Sequence, residues 1–474
     1  MRKLLPILAA VTAAGVAVLV PGIGAYAGPA GPIPPYSAPA GLTATEVSFS
    51  NGDTVLHGSV VRLAAGQAAS ASGGSVKRPG IVLVHGSGNA VRQQLAQEAE
   101  VFARAGIVTL IYDKRPDYNR SHRDYGDLAN DALAGVALIR GLPDVDPGKV
   151  GLWGLSEGGW VAPLAASRSR DVAFLITIGG SGLSPARTQA WNLNNRLAGN
   201  GVADGTAGEL IASGMGLAVS LDQFPEAKHD PVEVLRQIRQ PVLAIWGERD
   251  LLVPPAESAE IFRRELIVSP SVSIRILSGS SHAARVTTNG FDRVGGPTVG
   301  GFVMGELSPG YADLMTSWIA AGFPSTTDAP PTQRTTSTAI EPIGIVGYGL
   351  FVLLLLVLLS WPVTAVVRRI RGRRDRPAGA VPARLLVLTG LAATLLGTAY
   401  AVFVVASGGT SVHAAFLGQP LVWLLARVCL AVALTCGVLV APAFRSAPSI
   451  RLGAVLAGAV LLVPYALGLG LLLP

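Results

Sequence analysis

Gly154-Leu155-Ser156-Glu157-Gly158 reads G-x-S-x-G. An apolar run, Lys149-Val150-Gly151-Leu152-Trp153, precedes it, and a helix-like segment, Gly159 to Ser167, follows. Strand, sharp turn and helix form the context in which this motif presents a nucleophilic serine. A serine on so tight a turn takes a strained backbone, and side chains at the flanking positions would clash with strand and helix, so glycines stand there. The turn holds the Ser156 hydroxyl where a histidine can reach it.

Such chemistry needs a base for the hydroxyl, an acid to orient the base, and donors for the oxyanion. Of six histidines, His57, His85 and His122 precede Ser156, His229 precedes the best acid candidate, and His413 lies in the apolar C-terminal part. His282 remains, in Ser278-Gly279-Ser280-Ser281-His282, past the strand-like run ending at Leu277. The acid candidate is Asp250 in Trp246-Gly247-Glu248-Arg249-Asp250, with Glu248 its neighbouring rival. One oxyanion donor is expected from the backbone N–H of Glu157. The other is expected from His85-Gly86-Ser87-Gly88, at Ser87 or alternatively at Gly88, while His85 reads as a loop-shaping residue. The chain shows no cluster of metal-ligand spacing and no phosphate-cradling glycine loop, so neither a metal nor another cofactor is expected.

The surrounding pattern is α/β. Thr45–Ser50 and Thr54–Leu63 alternate as paired antiparallel strands about Asn51-Gly52. Ile81–Val84, Ile107–Tyr112, Val150–Leu155, Ala173–Ile178 and Val242–Trp246 are short continuous apolar runs, and Val272–Leu277 resembles them. Helical patterns at Val91–Ala105, Tyr125–Leu142 and Gly159–Ser167 lie between them. This alternation predicts a mostly parallel sheet with helices on both faces and a site at its carboxyl edge. Residues 183–240 break it with three helical stretches, Gln189–Leu197, Ala207–Leu221 and Pro231–Ile238. They read as a small helical cap, or alternatively as helices on the sheet flank.

From about Thr43 to Phe323 the chain resembles the α/β-hydrolase superfamily, bacterial esterase and serine-aminopeptidase-like members above all. The matching residues are His85-Gly86-Ser87-Gly88, Tyr112-Asp113-Lys114-Arg115, Gly154-Leu155-Ser156-Glu157-Gly158-Gly159, Trp246-Gly247-Glu248-Arg249-Asp250 and Ser281-His282. Where that family continues Asp-Lys-Arg with glycine, this chain has Pro116. The resemblance implies Ser-Asp-His hydrolysis through an acyl-enzyme, on an ester or a short peptide. An envelope acyltransferase and a non-enzymatic receptor or scaffold on the same fold are the other readings.

The flanks read as export and anchoring. Arg2 and Lys3, the apolar run Leu4 to Val20 and Ala25-Tyr26-Ala27 make residues 1–27 a signal peptide, with an uncleaved anchor as the alternative. Residues 28–42 read as a flexible lead-in, and the Pro-, Thr- and Ser-rich residues 324–342 as a linker. Residues 343–474 hold four candidate spans: Ile343–Val367, Leu385–Ser407, Pro420–Phe444 and Leu452–Leu473. The formal charge of +7 is uneven: the cluster 368–376 carries six arginines against Asp375, whereas residues 4–367 are net −4. The basic balance therefore reports membrane topology, not a nucleic-acid surface. It keeps 368–376, Arg445 and Arg451 cytoplasmic, and puts the α/β domain on the extracytoplasmic side of a lipid bilayer. Both cysteines, Cys429 and Cys436, lie in an apolar run, so the α/β domain has no disulfide framework. Arg427 is the one charge inside a candidate span, and the spans contain no acid to partner it.

Overall fold

The computed structural model describes residues 35–64, 77–119, 122–299, 301–372 and 379–472. The expected signal segment and the start of the lead-in lie outside the described residues. The chain forms two compact units. A sheet unit comprises the described residues up to Asn192 together with Phe224–Thr338; a helical unit comprises Leu193–Gln223 and the residues from Ala339 onward.

In chain order the elements from 42 to 320 are β1 (Leu42–Asn51), β2 (Thr54–Leu63), β3 (Arg78–Val84), α1 (Ala96–Arg104), β4 (Val108–Tyr112), α2 (Tyr125–Arg140), β5 (Val145–Leu155), α3 (Gly158–Arg168), β6 (Leu175–Ile178), α4 (Pro185–Gly199), α5 (Asp204–Ser220), α6 (Pro231–Leu235), β7 (Val242–Gly247), α7 (Pro255–Glu265), β8 (Val272–Leu277), β9 (Thr298–Val299), β10 (Phe302–Val303) and α8 (Tyr311–Ala320). Eight strands make one sheet in the order β1-β2-β4-β3-β5-β6-β7-β8. The β1–β2 and β2–β4 pairs are antiparallel and the others parallel.

The apolar runs form strands because both sheet faces are covered. Val82 and Val84 join Ala132, Val136 and Ile139 of α2, and Val161 and Ala165 of α3, in one layer. Ile81 and Leu83, which alternate with them, join Ala99 and Phe102 of α1 and Met315 and Trp318 of α8 in the other. Helix starts are set locally: Asp124 accepts from the Asp127 amide at 3.0 Å, and Asp230 from the Val232 amide at 2.9 Å. The parallel register pairs Val84 with Gly154, Leu155 with Ile178, Ile178 with Ile245, and Gly247 with Leu277. The strand ends that precede the Ser87, Ser156, Asp250 and His282 loops therefore share one edge.

Two segments differ from the sequence reading. Most of 324–342 is strapped to the sheet unit. Ile274 donates to Thr326 O at 2.8 Å, and the Asp328 amide donates to Ile274 O at 2.9 Å, beside edge strand β8. The Ala256 amide donates to Gln333 Oε1 at 3.1 Å and Trp191 Nε1 to Thr335 O at 3.2 Å. The composition lacks periodicity because the strap makes one-off polar contacts and covers an open edge. Residues 183–240, read as one cap, are divided between the two units, with α4 changing unit after Asn192 and α5 lying wholly in the helical unit.

Four more helices complete the helical unit: α9 (Ile345–Ile370), α10 (Ala380–Ala406), α11 (Leu421–Ser446) and α12 (Ile450–Leu469). Each is long and apolar enough to cross a membrane. Small residues set their approach: a Cβ on Gly458 would lie 2.8 Å from Leu358 Cδ2, and one on Gly437 2.9 Å from Ala459 Cβ. Helix α5 packs among them. A Cβ on Gly214 would strike the Ala401 backbone, and Ser213 Oγ donates to Leu469 O at 3.2 Å. Arg427 Nη2 meets Glu209 Oε2 of α5 at 2.9 Å and Gly470 O at 3.0 Å. The acid missing from the spans comes from the insert. The same end of the unit joins Ala203 N to Gly418 O at 2.8 Å and Asn200 Nδ2 to Gly409 O at 3.1 Å.

Candidate active site

Ser156 follows β5 with φ 56, in the left-handed region that a non-glycine residue occupies only under constraint. Its amide donates to Ile178 O at 2.9 Å, which ties the turn to β6. Two glycines make the turn possible. A Cβ at Gly154 would overlap the Gly158 carbonyl, and one at Gly158 would fall 2.5 Å from Val84 O. Helix α3 starts directly behind the serine, so the Glu157 amide belongs to the first turn, where helical N–H groups lack intrahelical acceptors.

Asp250 and His282 meet across two loops. Asp250 Oδ2 lies 2.8 Å from His282 Nδ1, and both residues are buried. A carboxylate only accepts, so Nδ1 carries the proton and Nε2 is left as an acceptor. His282 Nε2 is buried with no hydrogen-bond partner among the described residues. Asp250 Oδ1 accepts from the amides of Leu252 at 2.8 Å and Val253 at 3.0 Å. The ring rests on Gly179, where an added Cβ would be 2.6 Å from His282 Nδ1. Gly179 directly follows Ile178, the residue bonded to the Ser156 amide, so serine and histidine are referred to the same end of β6.

The rival acid turns elsewhere. Glu248 is exposed and accepts from Gly279 N at 2.8 Å and Ser278 Oγ at 2.9 Å. These bonds, the backbone one above all, hold its carboxyl below the usual range. Among the other histidines, His85 Nε2 is 2.7 Å from Tyr112 O. Burial, reinforced by the nearby Lys114 ammonium, lowers its pKa to about 4, so it stays neutral and shapes its loop. His229 packs edge-on against Tyr125 at 5.1 Å between ring centroids.

The Gly86–Gly88 loop is braced in a way that separates the two oxyanion candidates. Gly88 N donates to Tyr118 Oη at 3.3 Å. The Ser87 amide has no such acceptor among the described residues, and Ser87 is exposed. Below the serine lies a charged cluster that motif reading missed. Glu157 is fully buried; Lys114 Nζ is 2.6 Å from its Oε1, Arg123 Nη1 3.2 Å from its Oε2, and Tyr118 Oη 3.0 Å from Oε2. A glutamate directly after the nucleophile, among glycines and a tryptophan, was the available signal, because a carboxylate buried there requires cationic partners.

A second buried pair lies close in sequence to His282. Arg285 Nη2 meets Glu98 Oε1 at 2.6 Å, with side chains 2% and 1% exposed. Arg285 Nε also donates to Met304 O at 3.0 Å, and Arg285 O accepts from Ser281 N at 2.9 Å. The turn that carries His282 is thus pinned to α1, with Ala284 held at φ 52.

An eight-stranded sheet with this strand order, a serine on a sharp turn after β5, and an Asp–His pair on the loops after β7 and β8 decide the architecture. The chain folds as an α/β-hydrolase. No family model matches it. It is 33% identical over 112 residues to thiohydrolase aneE of Aspergillus aculeatus, covering 22% of this chain and 35% of that protein. It is 33% identical over 107 residues to the quorum-quenching protein AidA of Acinetobacter baumannii, with the same coverage. The chain thus spans about a third of the length of these curated relatives. Among solved structures, DcsB in complex with its substrate analogue aligns over 59% of this chain and 99% of that one, at 21% identity and a TM-score of 0.40. The hydrolase fold occupies the sheet unit alone; the four apolar helices fit a membrane module.

Proposed function

We propose that this protein is an exported, membrane-tethered serine hydrolase that cleaves carboxylic esters. His282 Nε2 takes the Ser156 proton as Oγ attacks the ester carbonyl. The Ser87 and Glu157 amides hold the resulting oxyanion, and Asp250 keeps the imidazole oriented. Collapse breaks the bond to the leaving alcohol, which takes the proton from His282. Water, deprotonated by the same imidazole, then attacks the acyl-enzyme and releases the acid and free Ser156. The observation that carries this reading is the Asp250–His282 contact at 2.8 Å, at the sheet edge where Ser156 stands on a left-handed backbone.

Four helices of spanning length support tethering, and the arginine-rich connection between α9 and α10 supports the assignment of sides. An active-site-directed fluorophosphonate tests the reading: it should label the wild-type protein in membranes, and Ser156→Ala should abolish labelling. Folded wild-type protein that takes no label would refute it. Rates on p-nitrophenyl esters, acyl thioesters and aminoacyl anilides rank the bond cleaved. The thioester belongs in that set because one relative is named a thiohydrolase.

A further inference from the structure

The Lys114 side chain is 6% exposed and lies 3.9 Å above the Tyr118 ring. Its ammonium makes one contact with the loop after β3 and one with the residue after Ser156. One goes to Gly86 O at 2.7 Å, the other to Glu157 Oε1 at 2.6 Å. Gly86 O belongs to the same peptide unit as the Ser87 N–H. A trans peptide points its carbonyl and its N–H in opposite directions, so fixing the Gly86 carbonyl also fixes the direction of the Ser87 donor. A cation on the carbonyl polarises the amide and strengthens that donor. Glu157 supplies the second amide assigned to the oxyanion, and its carboxylate is the other end of the Lys114 bridge. One buried charge thus contacts the peptide unit of one donor and the side chain of the residue that supplies the other.

The neighbouring contacts narrow the choice. Tyr118 Oη takes the Gly88 amide at 3.3 Å and donates to Glu157 at 3.0 Å, so Gly88 is drawn into the brace and Ser87 stands between two tied neighbours. Arg123 also holds Glu157, at 3.2 Å, and donates to Pro225 O at 2.9 Å. Arg123 alone would compensate the Glu157 charge. The second cation is therefore surplus to neutralising the carboxylate, yet it is the one that reaches the loop. Burial depresses the Lys114 pKa while Glu157 opposes that shift.

We propose that Lys114 is a positioning residue of the oxyanion hole: by bridging the Gly86 carbonyl and the Glu157 carboxylate, it sets the separation and direction of the Ser87 and Glu157 N–H donors. This rests on the serine-hydrolase reading. Losing one oxyanion donor outright lowers kcat by about 10²–10³-fold. A donor that is misdirected but still present should lower it by roughly 10–100-fold.

The test compares wild type, Lys114→Met and Glu157→Gln in detergent, with folding checked by thermal unfolding. Lys114→Met leaves Glu157 paired with Arg123. Glu157→Gln keeps an acceptor oxygen and the backbone N–H but removes the charge that holds the ammonium. Steady-state turnover of p-nitrophenyl butyrate gives kcat and KM, and inhibition by phenylboronic acid reports the tetrahedral state. Lys114→Met should lower kcat about 10–100-fold with KM within threefold, and weaken the boronate by a similar factor. Glu157→Gln should shift kcat and boronate affinity several-fold in the same direction. A Lys114 that only stabilises the fold would lower the melting temperature and leave kcat and boronate affinity at wild-type values. That result overturns the proposal, and Glu157→Gln decides it alone should Lys114→Met fail to fold. A wild-type protein that neither turns over the ester nor takes the fluorophosphonate label removes the hydrolase reading and this inference together. An active wild type with indifferent variants removes this inference only.

Discussion

Asp250 presents one carboxylate oxygen to His282 Nδ1 at 2.8 Å, while its other oxygen is held by the amides of Leu252 and Val253 at 2.8 and 3.0 Å. The acid is fixed by backbone, and the ring is fixed by the acid. Asp250→Asn keeps the size but replaces an obligate acceptor with a group that tolerates the wrong imidazole tautomer. Ester turnover should fall by about 10³–10⁴-fold. Glu248→Gln, on the exposed side of the same turn, should change kcat by less than about twofold. Parallel kinetics on the two variants check the assignment of the acid.

The Arg285–Glu98 pair is fully buried, and Arg285 stands three residues past His282. Removing one partner leaves a charge with no solvent. Arg285→Met should destabilise the sheet unit by about 3–5 kcal/mol, whereas Arg285→Met combined with Glu98→Leu should recover most of that loss. Denaturant midpoints for the two singles and the double close the cycle. Equal losses in single and double variants would rule out the coupling.

His85 and His229 both have pKa values lowered to about 4, burial being the largest cause for each. They are neutral in the folded state at pH values where the unfolded chain already takes up protons. Folded-state pKa values below the unfolded value of about 6.5 mean that stability is intact above pH 6.5 and is lost as pH falls towards 4. Each histidine contributes up to about 1.4 kcal/mol per pH unit within that window. His229→Phe, which preserves an aromatic contact with Tyr125, should flatten the fall. Urea midpoints measured from pH 7 to pH 4 give the slope for both proteins.

In the helical unit, Arg427→Leu strands Glu209 against apolar helices. It should lower the unfolding temperature in detergent, with an underlying loss of about 1–3 kcal/mol. Arg427→Leu with Glu209→Leu should unfold closer to wild type than either single variant. If the double variant shows the full sum of the single losses, the two side chains are not coupled.

The sheet was legible because parallel strands covered on both faces must be continuous apolar runs, and Ile81–Val84 or Val242–Trp246 admit few other readings. Ser156, Asp250 and His282 were nominated by chain order. What geometry adds is the shared end of β6, where Ile178 holds the serine amide and Gly179 supports the ring. Lys114 stands out in the sequence only as part of the Tyr112-Asp113-Lys114-Arg115 run, and Tyr118 and Arg123 not at all, because a buried charge cluster has no periodicity; it is visible only once Glu157 is known to be buried. Helix α5 was misplaced for a related reason. Leu210, Ile211 and Met215 form an apolar face that suits a sheet flank and a bundle of membrane helices equally well. Glu209, matched to an arginine more than two hundred residues away, reveals the choice together with Ser213 and Gly214.

The interleaving of the two units imposes an order on biosynthesis. Helix α5 leaves the ribosome while its partners on α10, α11 and α12 are still untranslated. About 250 further residues separate its end from Gly470, roughly 10–50 s at ordinary translation rates. Once β7, β8 and α8 have followed, the sheet unit can close, while α5 still lacks the helices it packs among. Its tolerance of that wait, through a chaperone or early insertion at the bilayer surface, is a demand on the cell that a hydrolase with a simple C-terminal anchor would not make.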